Sequence, residues 1–491
     1  MTVPLIPRQV LFGNPERISP RISPDGTRLA WIAPDRGVLN VWVAPMGRMD
    51  EAAVVTDDRD RGIRDFFWAY DNRHLLYVQD RDGDENWRLY GVDLDKNTTL
   101  DLTPFDKVQA QVIEVDKRFP DQLLIGLNKD NPQLHDVYRL ELSTGDLTKV
   151  ADNPGFAGWV VDANFAVRGA VLPKPDGGTQ LLARDTPDDE WRPLLDVGPD
   201  DALTTAPIAF SLDGRRLLAI SSVGFNAGRL VWLDLATGEP EVIAEDPHAD
   251  VAGVRIHPDS RLVQLVAFQK DRTELVVTDP SIQADIDGLQ ALSHGDLALQ
   301  NRDNADRTWL VGFVVDDGPV PYYAWDRDAR EATFLFDHQP ELSKYTLARM
   351  EPFEYRSRDR LTIHGYLTFP PDEPRESLPT VLNVHGGPWA RDSWGYNPEA
   401  QWFANRGYLC VQVNFRGSTG YGKDFVNAGD KAWGAAMHND VIDAVDWVVN
   451  RGYADRERIA IYGGSYGGYA ALVGAAFTPD VFRCAVDIVG P

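Results

Sequence analysis

Sulfur is scarce in this chain: 491 residues contain two cysteines and five methionines. Cys410 and Cys484 each stand inside an apolar run, "GYLCVQVNF" and "FRCAVDIVG", so two buried free thiols are expected and a disulfide framework is excluded. Positive charge is also in short supply. Forty-nine Lys and Arg face 75 Asp and Glu, a formal charge of −26 that repels phosphate backbones and anionic headgroups, so neither nucleic acid nor a membrane surface is expected as a partner. No segment offers about 20 consecutive apolar residues, and the opening "MTVPLIPRQVLFGNPE" lacks the charged and apolar regions of a signal peptide, so a cytoplasmic address is expected. No metal cluster with ligand-like spacing and no phosphate-binding loop occurs, so no cofactor is expected. The last absence concerns histidine: all nine lie at or before residue 438.

What is present is a well-mixed globular composition, 43% hydrophobic with 41 Gly and 33 Pro, over a length that exceeds one ordinary core. The first 310 residues repeat a unit made of an Asp, Asn or Gly turn, an apolar strand and a more polar one. Its anchors are Asp25, Asp71, Asp121, Asn164, Asp213, Asp259 and Asp306, spaced 43 to 50 residues apart. That is the period of a four-stranded propeller blade, and seven anchors predict seven blades with some 28 strands. "ELSTGDL" and "DLATGEP" read as hairpin turns with Gly at the position that needs positive φ.

Near residue 345 strands begin to alternate with helices, the pattern of a parallel sheet with crossover helices. The expected division is a seven-bladed β-propeller over 1–345 and the N-terminal part of an α/β-hydrolase domain over 346–491. "EPFEYRSRDRLTIHGYLTFP" reads as a hairpin and "PTVLNVHGGPW" as a buried strand running into a Gly-Gly turn. "PEAQWFANRGY" has helical spacing, "LCVQVNFRG" is a strand, and "HNDVIDAVDWVVNRGY" is an amphipathic helix with Asn439 or Asp440 as its N-cap.

Then comes "RIAIYGGSYGGYAALVGAAF", in which Gly463-Gly464-Ser465-Tyr466-Gly467 matches G-x-S-x-G between an apolar strand and a small-residue helix. The glycines permit a close approach of backbone and helix, and the helix N-terminus favours negative charge at the serine. Ser465 is the expected nucleophile, with an oxyanion hole made by the backbone N–H groups of Gly387 and Tyr466. His385 is read as a residue that shapes its loop.

A propeller followed by "HGGP", "NFRGSTGYG", "DAVDWV" and "GGSYGGY" resembles the prolyl oligopeptidase family of serine peptidases, in its acylaminoacyl-peptidase and dipeptidyl-peptidase-like branch, over essentially the whole chain. The resemblance implies hydrolysis of short peptides, with the propeller capping the site and limiting substrate size. An esterase with the same elbow, or a propeller that binds peptides without cutting them, are the alternatives. The acidic loop "RDGDENWRLY" raises the hypothesis that Glu85 binds a peptide's free amino terminus. Oligomeric state and residue preference stay open.

In α/β-hydrolases the triad acid and histidine follow the serine along the chain. Here only the acids Asp480 and Asp487 follow, both read as structural, and no histidine does; His438, just before a helix, is not brought to the elbow by the crossover geometry. The expectation is therefore a C-terminally incomplete sequence whose missing βα units carry the acid and the base. The chain as given would be nearly inactive, with its last strand laid bare as a sheet edge.

Overall fold

Aspartate turns and apolar strands build the first part of the molecule. In the computed structural model, which describes residues 3–491, seven small antiparallel sheets span 18–54, 66–101, 110–151, 158–197, 206–244, 251–277 and 296–337. Each of the seven anchors lies in the turn between the first and second strands of its sheet. Asp25 shows the reason: its Oδ1 accepts from the Ser23 hydroxyl at 2.6 Å, the Thr27 hydroxyl at 2.8 Å and the Thr27 N–H at 3.0 Å, closing the turn on itself. Asp213 repeats the arrangement with Ser211 and Arg215.

The sheets are the blades of a seven-bladed propeller, because a separate apolar cluster fills every gap between neighbours. The closing gap is one of them: Ile22, Leu29 and Trp31 of blade 1 meet Leu310, Tyr322 and Phe336 of blade 7. No strand of either blade joins the other's sheet. Side-chain bonds reinforce the closure instead, with Asn301 accepting from the Ile22 N–H at 3.1 Å and donating to the Ile22 carbonyl at 2.9 Å. Twenty-seven strands form, fewer than the period implied, since blade 6 has three. After its third strand the apolar residues Ile282, Ile286 and Leu289 recur at helical spacing, and Gln283–Gln290 is a helix packed against Trp309 and Trp325.

The second part is a six-stranded sheet. Its elements are β1 (Met350–Arg356), β2 (Thr362–Thr368), β3 (Leu378–Val384), α1 (Pro398–Ala404), β4 (Leu409–Asn414), α2 (Lys423–Asn427), α3 (Ala436–Asn450), β5 (Ala454–Gly464), α4 (Tyr466–Phe477) and β6 (Cys484–Ile488). The order across the sheet is β1-β2-β4-β3-β5-β6; β2 pairs antiparallel with both of its neighbours, and β4, β3, β5 and β6 run parallel, as an α/β-hydrolase requires. The N-terminal segment belongs to this side of the molecule: Ile6 and Leu11 pack with Leu342 and Leu347, and Asn405 accepts from the Ile6 N–H at 2.7 Å.

Three sequence expectations change here. Cys410 is buried, whereas Cys484 is exposed because it opens the edge strand β6, whose Val486 and Ile488 are exposed too. Helix α3 starts at Ala436, so neither Asn439 nor Asp440 caps it. His438 lies inside its first turn, buried, with Nε2 3.0 Å from the Thr478 hydroxyl.

Asp440 has another task. It is fully buried and accepts three hydrogen bonds from Arg416, from the N–H, Nε and Nη2 at 2.8–3.0 Å, while the same guanidinium makes two more to Asp359 at 2.7 and 2.8 Å. Together they tie the loop after β4 to α3. Because both charges sit where water cannot replace a lost partner, Asp440→Ala should lower the unfolding free energy by about 3–5 kcal/mol in denaturant titration; a loss within ~0.5 kcal/mol would show that the pair carries no load.

The two parts meet on one propeller face. Loops between second and third strands reach across: Asn226 accepts from the Asp424 N–H, the Asp271 carbonyl accepts from the Tyr366 hydroxyl, and Asp316 accepts from the Met350 N–H. The anchor turns therefore face away from the second domain. Between the two faces runs a channel of about 800 Å3 lined by the innermost strands. Among the described residues no helix is long and apolar enough to cross a membrane.

Candidate active site

Glycine spacing makes the elbow possible. β5 ends at Gly464 and α4 begins at Tyr466, leaving Ser465 alone at φ 55° and ψ −121°, a strained conformation for a side chain, and exposed. A Cβ on Gly467 would lie 1.9 Å from the Val384 carbonyl oxygen, and one on Gly463 would lie 2.5 Å from the Gly467 backbone. Only hydrogen at both positions lets the first turn of α4 sit against the end of β3. The Ser465 N–H donates to the Ile488 carbonyl at 2.9 Å and its carbonyl accepts from the Tyr469 N–H at 3.0 Å, so the strained residue is clamped from β6 and from the helix.

Opposite stands the loop after β3. A Cβ on Gly386 would be 3.3 Å from the Ser465 Cβ and 3.9 Å from its Oγ, which puts the Gly-Gly turn against the serine. His385 orients that turn. Its Nδ1 lies 2.7 Å from the Gly386 carbonyl oxygen, which can only accept, so Nδ1 carries the proton; Nε2 faces the Ser418 hydroxyl at 3.0 Å. Burial pushes this imidazole down to about 4, so it is neutral at physiological pH. In a planar trans peptide C=O and N–H point in opposite directions, so holding the Gly386 carbonyl also fixes the Gly387 N–H. Neither that N–H nor the Tyr466 N–H, at the first position of α4, is paired with an acceptor among the described residues. Gly386, which precedes Gly387, and Tyr466, which follows Ser465, thus flank the serine.

The described acids and histidines do not pair with it. Asp487 accepts from the Gly490 N–H at 2.8 Å, and Asp480 lies in the turn after α4. His364 stacks flat on Tyr421 with ring centroids 4.6 Å apart, while His385 and His438 are engaged as described. Among the described residues the Ser465 hydroxyl has no hydrogen-bonded histidine or carboxylate.

Several supports escaped the sequence reading. Asn414, inside "NFRGSTGYG", accepts from the Asp392 N–H and donates to the Asp392 carbonyl, at 2.7 and 3.0 Å. Arg391, next to the Gly-Gly turn, donates to the Gln269 and Lys270 carbonyls of the propeller and to the Tyr421 hydroxyl. Asn414 lies in a quoted motif and Arg391 in none, and the partners of both come from distant segments.

Asp392 itself holds an unusual carboxyl. Its Oδ2 is buried without a partner, as is Oε1 of Gln412 beside it, and burial, reinforced by Glu399, pushes its pKa up to about 7. A protonated carboxyl supplies the donor that two buried acceptors lack. The folded chain then keeps a proton that the unfolded chain has already released, so stability falls as pH rises from about 4 to about 7. Asp392→Asn should remove this slope. Relative to the parent it should gain stability on the order of 1–4 kcal/mol between pH 5 and pH 8, followed by thermal unfolding at each pH; parallel pH profiles would assign the proton elsewhere.

Comparison with known proteins gives this geometry a lineage. Residues 394–491 match the family described as "Prolyl oligopeptidase family". The chain is 45% identical over 495 residues to dipeptidyl aminopeptidase BIII of Pseudoxanthomonas mexicana, covering 99% of this chain and 72% of that protein. It is 33% identical to dipeptidyl peptidase family member 6 of Caenorhabditis elegans, covering 100% of this chain and 71% of the relative. Among solved structures, a puromycin-hydrolysing peptidase of Mycobacterium tuberculosis superposes with a TM-score of 0.75 at 20% identity, over 99% of this chain and 79% of the other, which speaks for the fold. A propeller set on an α/β-hydrolase sheet, the strained serine at its elbow and this kinship along nearly the whole chain agree: the protein belongs to the prolyl oligopeptidase family of serine peptidases.

Proposed function

We propose that the protein is a dipeptidyl aminopeptidase that cuts short peptides through an acyl-enzyme on Ser465. One observation carries the reading: an exposed serine held at positive φ between a buried strand and a helix N-terminus, against a Gly-Gly turn with an unpaired N–H. In the proposed step Oγ attacks the scissile carbonyl carbon, the developing oxyanion is received by the N–H groups of Gly387 and Tyr466, and the C–N bond breaks as the leaving amine takes the proton that Oγ gives up. Water then hydrolyses the ester and frees Ser465. The dipeptidyl preference is supported by the relative at 45% identity, which carries that name.

His385 and His438 are engaged elsewhere and no described histidine is hydrogen-bonded to Ser465, so this chain on its own is expected to turn over slowly, several orders of magnitude below an enzyme with a complete triad. The nucleophile is tested without turnover. A fluorophosphonate probe should label the parent chain at one residue and leave Ser465→Ala unlabelled; equal labelling of both would remove Ser465 from the mechanism. Peptide anilides compared with short acyl esters separate a peptidase from an esterase.

Glu85 is proposed as the anchor of the substrate's amino terminus. It is exposed on the loop between the second and third strands of blade 2, on the face that meets the catalytic domain, and its carbonyl lies 3.5 Å from Nε2 of Gln109, a residue of the channel wall. Glu85→Gln should weaken binding of a free-amino dipeptide anilide by about tenfold and leave its N-acetylated analogue unaffected, measured as KM or by competition. Equal affinities in parent and variant would move the anchor elsewhere.

A further inference from the structure

The propeller channel has chemistry that the elbow does not use. Phe67, Trp68, Tyr70, Tyr77, Trp87 and Trp309 line its apolar stretches. Against them stand three guanidinium groups, Arg21, Arg255 and Arg302, and two carboxylates, Asp65 and Asp303. In a chain with a formal charge of −26, a cluster of cations inside a cavity is out of keeping with its surroundings.

Topology places the cluster. Arg21, Arg255 and Arg302 occupy the ends of the innermost strands Ile18–Ile22, Val251–Ile256 and Asp296–Arg302, next to the anchor turns. They therefore ring the mouth that faces away from the catalytic domain. Two of them have acidic partners: Arg21 is 3.3 Å from Asp65 and Arg302 is 3.0 Å from Asp306. Arg21 also keeps a buried Nε with no partner. Arg255 donates to the Leu299 carbonyl and makes no ion pair among the described residues, although it is exposed to the channel. Burial, with Arg302 and Arg21 nearby, holds its pKa below the usual arginine value, so its surroundings disfavour uncompensated positive charge.

We propose that this mouth is a carboxylate-binding site that holds the C-terminal carboxylate of a peptide on Arg255, with Arg21 and Arg302 beside it and the peptide's side chains along the aromatic wall. The proposal rests on the peptidase reading for the identity of its ligand. A peptide whose amino terminus lies at the face toward the catalytic domain points its other end down the channel, and a guanidinium pairs with a carboxylate through two parallel hydrogen bonds. Such a site selects for length, since the carboxylate arrives at Arg255 only when the chain spans the channel, and it favours free peptides over loops of folded proteins.

The test is calorimetric titration of the full chain, carrying Ser465→Ala to prevent turnover, with an alanine pentapeptide as free acid and as C-terminal amide. The free acid should bind about tenfold more tightly. That preference should vanish in Arg255→Gln and persist in Arg255→Lys, which keeps the charge; unfolding curves for both variants guard against loss of the blade 6–blade 7 bond to Leu299. Equal affinities for acid and amide, or a preference that survives Arg255→Gln, would overturn the proposal. Fluorophosphonate labelling of the parent chain, set beside the acid preference of the Ser465→Ala chain with Arg255 intact, separates the two readings. Labelling with no acid preference removes the channel site and leaves the peptidase; acid preference with no labelling even on prolonged exposure to the probe keeps the carboxylate site and removes Ser465 as the nucleophile.

Discussion

Among the described glycines of the second domain Gly467 has the least room, since a Cβ there would lie 1.9 Å from the Val384 carbonyl oxygen. Everything at the site follows from it. With α4 seated on the end of β3, the chain between β5 and α4 has one residue in which to reverse, and that residue takes the strain. Ser465 is exposed because its neighbours are packed, and it faces Gly386 because the same β3 end supplies the opposing turn.

Hydrogen-bonded polar groups set the rest of the geometry. His385 fixes the Gly386–Gly387 peptide through the proton on Nδ1, and burial keeps the ring uncharged. Asn414 and Arg391 brace the loop that follows, the first from β4 and the second from the propeller. The loop after β3 is thus held partly by the other domain, since Arg391 reads two propeller carbonyls while sitting four residues after Gly387. A change in domain docking would be felt at the serine through this arm.

How much could be read beforehand differs by element. The seven anchors were legible because an aspartate turn needs no distant partner: Asp25 satisfies its own loop. The elbow was legible for a similar reason, since its glycines answer a clash with neighbours fixed by strand-turn-helix geometry. The missing strand of blade 6 was not, because the period alone says nothing about whether Ile282, Ile286 and Leu289 alternate or wind. Nor was the role of Asp440, read as a cap from its place near a helix start, while its partner Arg416 lies 24 residues away.

The sequence by itself determined the repeat, the change to alternating strands and helices and the serine elbow, all of them local properties. Tertiary structure decided which polar groups met. Arg416 and Asp440, His385 and Ser418, and the three arginines of the channel become neighbours only when the sheet and the ring close. Burial then removes the water that would have answered their hydrogen bonds and charges, and leaves each group to the partners that the fold supplies.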